Sequence, residues 1–137
     1  MKKSIKRITF ILTFAFALGL FPRAMEPKLT AMPSPKYTRL GKASWYSKKS
    51  PGINRHTANN EIFDDTDLTC AMWGVPFNQR IRVTNLSNGK SIIVRVNDRG
   101  PHKRFVRQGR IIDLTRAAFS LIESPKSGLT NVEIEFL

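Results

Sequence analysis

A small, mainly β, barrel-like domain with one short helix is the fold class this sequence predicts. Two observations carry the prediction. Apolar and polar residues alternate in short runs separated by turn residues, and only one stretch has helical spacing. Such a pattern suits a closed or sandwiched sheet better than a helix bundle, although it does not choose among barrel topologies.

The chain has 137 residues, and its first segment stands apart. Lys2, Lys3, Lys6 and Arg7 precede an apolar run from Ile8 to Phe21, and Pro22 and Ala24 follow it. That is the build of a secretory signal peptide over 1–24, cleaved near Ala24; the alternative is a retained anchor, for which the run falls short of about 20 apolar residues. Residues 25–40 set Pro27, Pro33 and Pro35 among Lys, Thr and Ser and read as an extended tether. The domain is then expected over 41–137.

Within it, Ala43 to Tyr46 is a short strand rich in aromatics. Residues 47–67 are polar, with Ser50-Pro51-Gly52 and Asn59-Asn60, and form a loop long enough to suggest function. Arg80 to Thr84 alternates with Ile81 and Val83 on one face, Ser87-Asn88-Gly89 turns the chain, and Ser91 to Asn97 returns with Ile92, Val94 and Val96 in phase. Asp98-Arg99-Gly100-Pro101 stops that strand, because Pro101 has no N–H for a ladder. Residues 102–110 read as a basic loop, and Ile111-Ile112 as a brief pairing. Thr115 to Glu123 is the helix, with Ala118, Leu121 and Ile122 as its apolar side and Phe119 at the edge. Asp113 or Thr115 caps its start and Ser124-Pro125 ends it. Val132, Ile134 and Phe136 alternate with Asn131, Glu133 and Glu135 in a closing strand.

Charge and cysteine content bound the function. The five basic residues of 1–24 account for part of the formal +13; without them the charge is +8. A basic exported protein meets the wall and lipid headgroups rather than nucleic acid, so no nucleic-acid partner is expected. The single Cys70 excludes an intramolecular disulfide and, beside Ala71 and Met72, reads as a small core residue. It does not follow the apolar run, so lipid anchoring through an N-terminal Cys is not expected. His56 and His102 have no metal-ligand spacing, and neither metal nor cofactor is expected.

Three acids stand out: Glu61 and Asp64 in the polar loop, and Asp98 at the end of the Ile92–Val96 strand. By a period of two, Asp98 continues the inward row of Ile92, Val94 and Val96 to the mouth of the barrel. A carboxyl there, with two others near it, fits the proton donor that glycosidic cleavage requires. On spacing alone, however, the favoured readings are Asp98 as a turn cap and Glu61 and Asp64 as solvated loop acids.

Specific strings settle the family resemblance. Ala43-Ser44-Trp45-Tyr46, then Thr57-Ala58-Asn59-Asn60-Glu61 with Asp64, resembles the rare lipoprotein A family. So do Arg82 to Leu86, Asn88-Gly89, Val94-Arg95-Val96-Asn97-Asp98-Arg99-Gly100-Pro101, and Arg110 to Leu114, in family order over 41–137. The resemblance implies a six-stranded double-psi β-barrel, shared with expansins, and a lytic transglycosylase. Such an enzyme cuts between N-acetylmuramic acid and N-acetylglucosamine in peptide-free peptidoglycan strands, the muramyl 6-hydroxyl attacking in place of water. It implies Asp98 as general acid and then base, with Glu61 and Asp64 as further catalytic acids. Asn97 and Arg99 would contact substrate, and Trp45 and Tyr46 would either offer a sugar-stacking surface or belong to the core. Peptidoglycan strands are the implied partner, with cell-division or wall-remodelling proteins beside them, for a monomer in the periplasm or cell envelope. The sequence departs from the family pattern at Met72, where a His is usual and Met cannot shuttle a proton. Asn60 and Ser47 each replace a usual Gly, and Asn tolerates positive φ. An expansin-like wall binder without turnover is the alternative.

Overall fold

The computed structural model describes residues 37–137; the segment expected to be a signal peptide, and the tether up to residue 36, lie outside them. Six strands form: β1 Thr38–Tyr46, β2 Thr69–Ala71, β3 Arg80–Asn85, β4 Ser91–Asp98, β5 Arg110–Thr115 and β6 Thr130–Phe136. They close into a barrel in the order β1-β5-β2-β4-β3-β6, with β6 returning to β1. The pairs β1–β5 and β2–β4 are parallel, and the other four are antiparallel. This is the mainly β, six-stranded double-psi architecture that the sequence led us to expect.

Alternation fills the barrel. Ile81 and Val83 of β3, Val94 and Val96 of β4, Ile112 and Leu114 of β5, and Val132 and Ile134 of β6 are all fully buried. Burying an aliphatic side chain of this size contributes about 1.5–3 kcal/mol, so a closed barrel of this kind needs no disulfide. Cys70 is buried among them as a free thiol. Helix α2, Arg116–Ile122, packs against β1, β4 and β5. The β3–β4 hairpin is anchored to this helix, because the buried Asn85 donates through Nδ2 to the Ile122 carbonyl (2.9 Å).

Several local expectations need correction. Strand β1 starts at Thr38, so residues 38–40 belong to the barrel, paired with Glu135, Ile134 and Glu133. β2 was not foreseen, and the basic loop contains a one-turn helix α1, Lys103–Val106. The brief pairing at Ile111-Ile112 is a full strand, which places Asp113 in the sheet. Thr115 caps α2, accepting from the Ala118 N–H. On α2 the buried face is Ala118, Phe119 and Ile122, whereas Leu121 is 56% exposed. The turn-level expectations are met: Gly89 has φ +72° and Asn60 φ +70°.

Two irregularities shape the sheet. On β5, Lys42 and Ala43 pair with Arg110 and Ile112, which leaves Ile111 as an extra residue. A Cβ on Gly41 would lie 2.7 Å from the Ile111 side chain, so β1 needs glycine there. On β4, Cys70 and Ala71 pair with Val96 and Asp98, and Asn97 is the extra residue. A bulge of this kind re-aims whatever follows it.

Candidate active site on the barrel wall

The Asn97 bulge decides where Asp98 points. With strict alternation, Asp98 would follow Val96 inward. The extra residue reverses the phase, and Asp98 shares the face of its partner Ala71 on the outside of the barrel. The expectation of an inward-facing Asp98 is therefore corrected. Ladder partners project to the same face, so one row runs across four strands: Ser44 of β1, Asp113 of β5, Ala71 of β2 and Asp98 of β4. All four residues line a trough of about 650 Å³, and Asp98 also lines an adjoining cavity of about 350 Å³ with His56, Thr57 and Ala58. Asp98 thus lies at the junction of two hollows.

The Asp98 carboxylate is held by backbone. Its Oδ1 accepts the N–H of Ala58 (2.9 Å) and of Arg99 (2.8 Å). Among the described residues Oδ2 accepts no hydrogen bond, and no arginine forms an ion pair with this carboxylate. The Arg99 side chain is occupied elsewhere. Its guanidinium lies 3.7 Å from the centre of the Phe77 ring and donates to the Met72 carbonyl (3.1 Å). It lines the trough but is fixed as a prop for the turn.

Glu61 and Asp64 are not among the residues lining the trough or the adjoining cavity. Glu61 meets Arg95 through two bonds, of 2.6 and 2.9 Å, and accepts from Asn97 Nδ2 (3.0 Å) and Asn59 Nδ2 (2.7 Å). Hydrogen bonding from Arg95, and then Asn97, takes its carboxyl down to about 2. This clasp fastens the 57–61 loop onto β4, where Asn59 N–H donates to the Asn97 carbonyl (3.3 Å). The same loop brings the Ala58 N–H to Asp98. Asn97 is therefore spent on Glu61 rather than on the trough. Asp64 lies exposed, accepting from Thr66 N–H (3.0 Å) and Oγ1 (2.8 Å) with Lys48 Nζ at 3.4 Å; the Thr66 bonds lower its carboxyl.

The aromatic residues also redistribute. Tyr46 is 8% exposed and stacks on Phe63 with centroids 4.7 Å apart, so it is packing rather than a sugar platform. Its hydroxyl, on a residue that lines the trough, is buried and has no hydrogen-bond partner among the described residues. Trp45 lines the trough, packs on the core and donates through Nε1 to the Pro125 carbonyl (3.0 Å). The exposed ring at the trough is Trp73, 45% exposed, with Nε1 donating to the Pro101 carbonyl (2.7 Å). Met72, at the position where a His was expected, is a core side chain 1% exposed, one step out of phase with Ala71.

Two residues of the site were missed by reading the sequence. Trp73 follows Ala71 by two residues, a spacing that signals a shared side once β2 is seen as a strand. Asp113 sits between Ile112 and Leu114, both buried, and this alternation would have turned it outward had Arg110–Thr115 been read as a strand. Asp113 accepts from the Ser44 hydroxyl and lies 3.3 Å from Arg110 Nε. Burial pushes its carboxyl up, against the pull of Ser44 and Arg110, and Asp98 adds to the rise.

Comparisons with known proteins identify the family and the fold. A family described as lytic transglycolase matches residues 38–134. The endolytic peptidoglycan transglycosylase RlpA of Vibrio cholerae is 47% identical over 101 residues, which is 74% of this chain and 36% of that protein. The protein of the same name from Rickettsia typhi is 41% identical over 106 residues, covering 76% of this chain and 32% of its own length. The chain thus spans about a third of the length of these curated relatives. Among solved structures, a Streptomyces papain inhibitor superposes with a TM-score of 0.57 at 21% identity, covering 74% of this chain and 94% of that one. An expansin of Clavibacter michiganensis superposes with a TM-score of 0.55 at 17% identity, covering 74% and 50%. At such identities the likeness concerns the fold.

Proposed function

The chain belongs to the lytic transglycolase family of double-psi β-barrels, and from that membership we propose that it cleaves peptidoglycan glycan strands. The bond broken is the one between N-acetylmuramic acid and N-acetylglucosamine in strands without stem peptides, and the products carry 1,6-anhydromuramyl ends. The observation that carries the reading is the position of Asp98 at the junction of two hollows, with Oδ2 free of partners among the described residues. A glycan lying through both hollows presents a linking oxygen to that carboxyl, which exchanges protons with the reacting oxygens.

The other assignments follow from what each side chain touches. Trp73 offers an aromatic face to sugar, a role its exposure favours over Tyr46. Glu61 acts through the Arg95 clasp, holding the Ala58 N–H against Asp98; it is a positioning residue. Asp64, bound to Thr66 at the surface, keeps the loop turn. The working place of the protein is the cell envelope, reached through the export segment at 1–24.

Digestion of purified peptide-free glycan strands, read by mass spectrometry, tests the proposal. The wild type is expected to release 1,6-anhydromuramyl fragments, and Asp98→Asn to lower their formation by at least about 100-fold. Retention of Asp98→Asn on insoluble peptidoglycan would separate chemistry from binding. A folded wild type that yields no anhydro ends at any pH would leave a wall-binding barrel in place of an enzyme.

A further inference from the structure

The outward row holds more than one carboxyl. Asp113 and Asp98 both pair with Ala71, one on either side of it, so they project to the same face across three adjacent strands. Their backbones are two strand spacings apart, about 10 Å. The residue between them is an alanine, which fills none of the space above it. Asp113 reaches toward the Asp98 turn: a Cβ on Gly100, two residues past Asp98, would lie 3.4 Å from Asp113 Oδ2. Paired carboxylates work on glycosidic bonds at separations of roughly 5–9 Å, a span that side chains leaning toward each other from backbones at this spacing can reach.

Groups on every side of Asp113 bear on its proton. Ser44, from β1, donates to its Oδ1, and Arg110, on its own strand, lies 3.3 Å from that same oxygen. Oδ2 is left toward the trough and Gly100. Tyr46 from β1, Cys70 from β2 and Asp98 from β4 complete the surroundings. Both Asp98 and Asp113 bear on the Tyr46 phenol, after its burial. That hydroxyl is the independent mark of a ligand here. It belongs to a side chain that is 8% exposed and lines the same trough, and it has no partner among the described residues, a state that buried polar atoms rarely keep.

We infer that Asp113 is a second catalytic carboxyl, which gives the proton to the leaving oxygen while Asp98 takes the proton of the attacking hydroxyl. The inference rests on the glycan-cleaving reading above. In a β-linked muramyl unit the bridging oxygen on C1 and the hydroxymethyl group on C5 lie on the same face of the ring. A single floor carrying two carboxyls therefore reaches both. Protonated Asp113 hands its proton to the bridging oxygen as the C1–O bond breaks, and the bonding pair leaves with that oxygen. The muramyl O6 forms the new bond to C1 and loses its proton to the Asp98 carboxylate. No water is consumed. Asp98 ends protonated and Asp113 ionised, and one proton passed from Asp98 to Asp113 restores the pair. Burial, which pushes Asp113 up, suits it to arrive protonated.

Two readouts on the full-length chain test this. Carbon-detected NMR titration of the carboxyls needs no turnover. Asp113 is expected to titrate above an ordinary aspartate, to move down in Asp98→Asn as the neighbouring charge is lost, and to move up in Ser44→Ala as a bond to the charged form is lost. Product formation on peptide-free strands is expected to fall at least about 100-fold in Asp113→Asn. In Ser44→Ala, which spares both carboxyls should Asp113→Asn fold poorly, the alkaline limb of the rate profile should shift to higher pH. An Asp113 titration in the ordinary range and unmoved by Asp98→Asn would overturn the inference, as would an Asp113→Asn rate within threefold of wild type. If the wild type forms no anhydro ends while the two carboxyls titrate as a coupled pair, the glycan-cleaving reading fails and the division of proton transfer falls with it. Anhydro ends together with uncoupled carboxyls sink the inference alone.

Discussion

Glu61 and Asp113 are both carboxylates that meet an arginine and a small polar side chain, yet the fold drives them in opposite directions. Glu61 lies in the loop clasp, where Arg95 approaches with two nitrogens at 2.6 and 2.9 Å and two asparagines complete the shell. Its charge is fully answered, and the carboxyl sits at about 2. Asp113 lies on the strand row, where Arg110 offers only Nε at 3.3 Å and the Asp113 side chain is 18% exposed on the trough floor. Its charge is under-answered, and burial wins. A carboxylate answered on all sides fastens a loop; one left short of partners keeps a proton within reach. The contrast lies in the number and geometry of donors, not in residue type.

The largest expected effect comes from filling the gap above the strand row. Ala71→Leu places a branched side chain between Asp98 and Asp113, where Ala71 Cβ is already 3.1 Å from a Cβ position on Gly100. Overpacking should cost about 1–3 kcal/mol in urea unfolding. Anhydro-product formation should drop at least about 100-fold. Survival of activity in a folded Ala71→Leu protein would show that the chemistry does not need that space.

Next is the clasp. Glu61→Gln leaves Arg95 without its counter-charge. Because the Glu61 side chain is 37% exposed, solvent screens the pair, and the expected loss is about 1 kcal/mol. Activity should fall less than in Asp98→Asn, since only the placement of the Ala58 N–H is disturbed. An equal fall in both variants would move Glu61 from positioning into the chemistry.

An acid titration of stability sharpens the same point. Glu61 has a folded value of about 2 against the ordinary 4.5, so its contribution is fully present above about 4.5 and is lost as pH falls toward 2. Asp113 is shifted the other way. Ionising it opposes folding, so Asp113→Asn should not lose stability at pH 7, and Glu61→Gln should. Urea midpoints for the two variants at pH 7 and pH 3.5 check the opposite signs; a parallel loss in both would break the comparison. The smallest effect belongs to Asp64→Asn, whose solvated carboxylate lies outside both hollows. Its urea unfolding midpoint should be indistinguishable from that of the wild type.

Reading by period succeeded where strands are regular and failed where they slip. The β3–β4 hairpin, with Ile81, Val83, Ile92, Val94 and Val96 inward and Gly89 in its turn, was legible because each residue obeys a period of two. Asp98 was identified as a residue of interest, yet its direction was misread, because one extra residue at Asn97 reverses the phase and nothing in the local pattern announces it. Asp113 and Thr115 share the chemistry of helix caps, so spacing left the cap open between them, and the structure gives it to Thr115. Arg99, Asn97 and Tyr46 carry polar or aromatic groups suited to sugar. Their partners, Phe77, Glu61 and Phe63, are distant enough in sequence or opposite enough in face to escape a linear reading.

By itself, the sequence determined a small β-barrel with one principal helix, its hairpin, its core and the importance of the Asn-Asp-Arg-Gly-Pro turn. These are consequences of local periodicity and turn chemistry, which neighbouring residues encode. The tertiary structure decided which acids share a floor and which are neutralised. Register between β4, β2 and β5 sets Asp98 and Asp113 on one face, and a contact across 34 positions gives Glu61 to Arg95. Proton affinity depends on burial and on the distance to other charges, and both are properties of the closed barrel rather than of any segment of its chain.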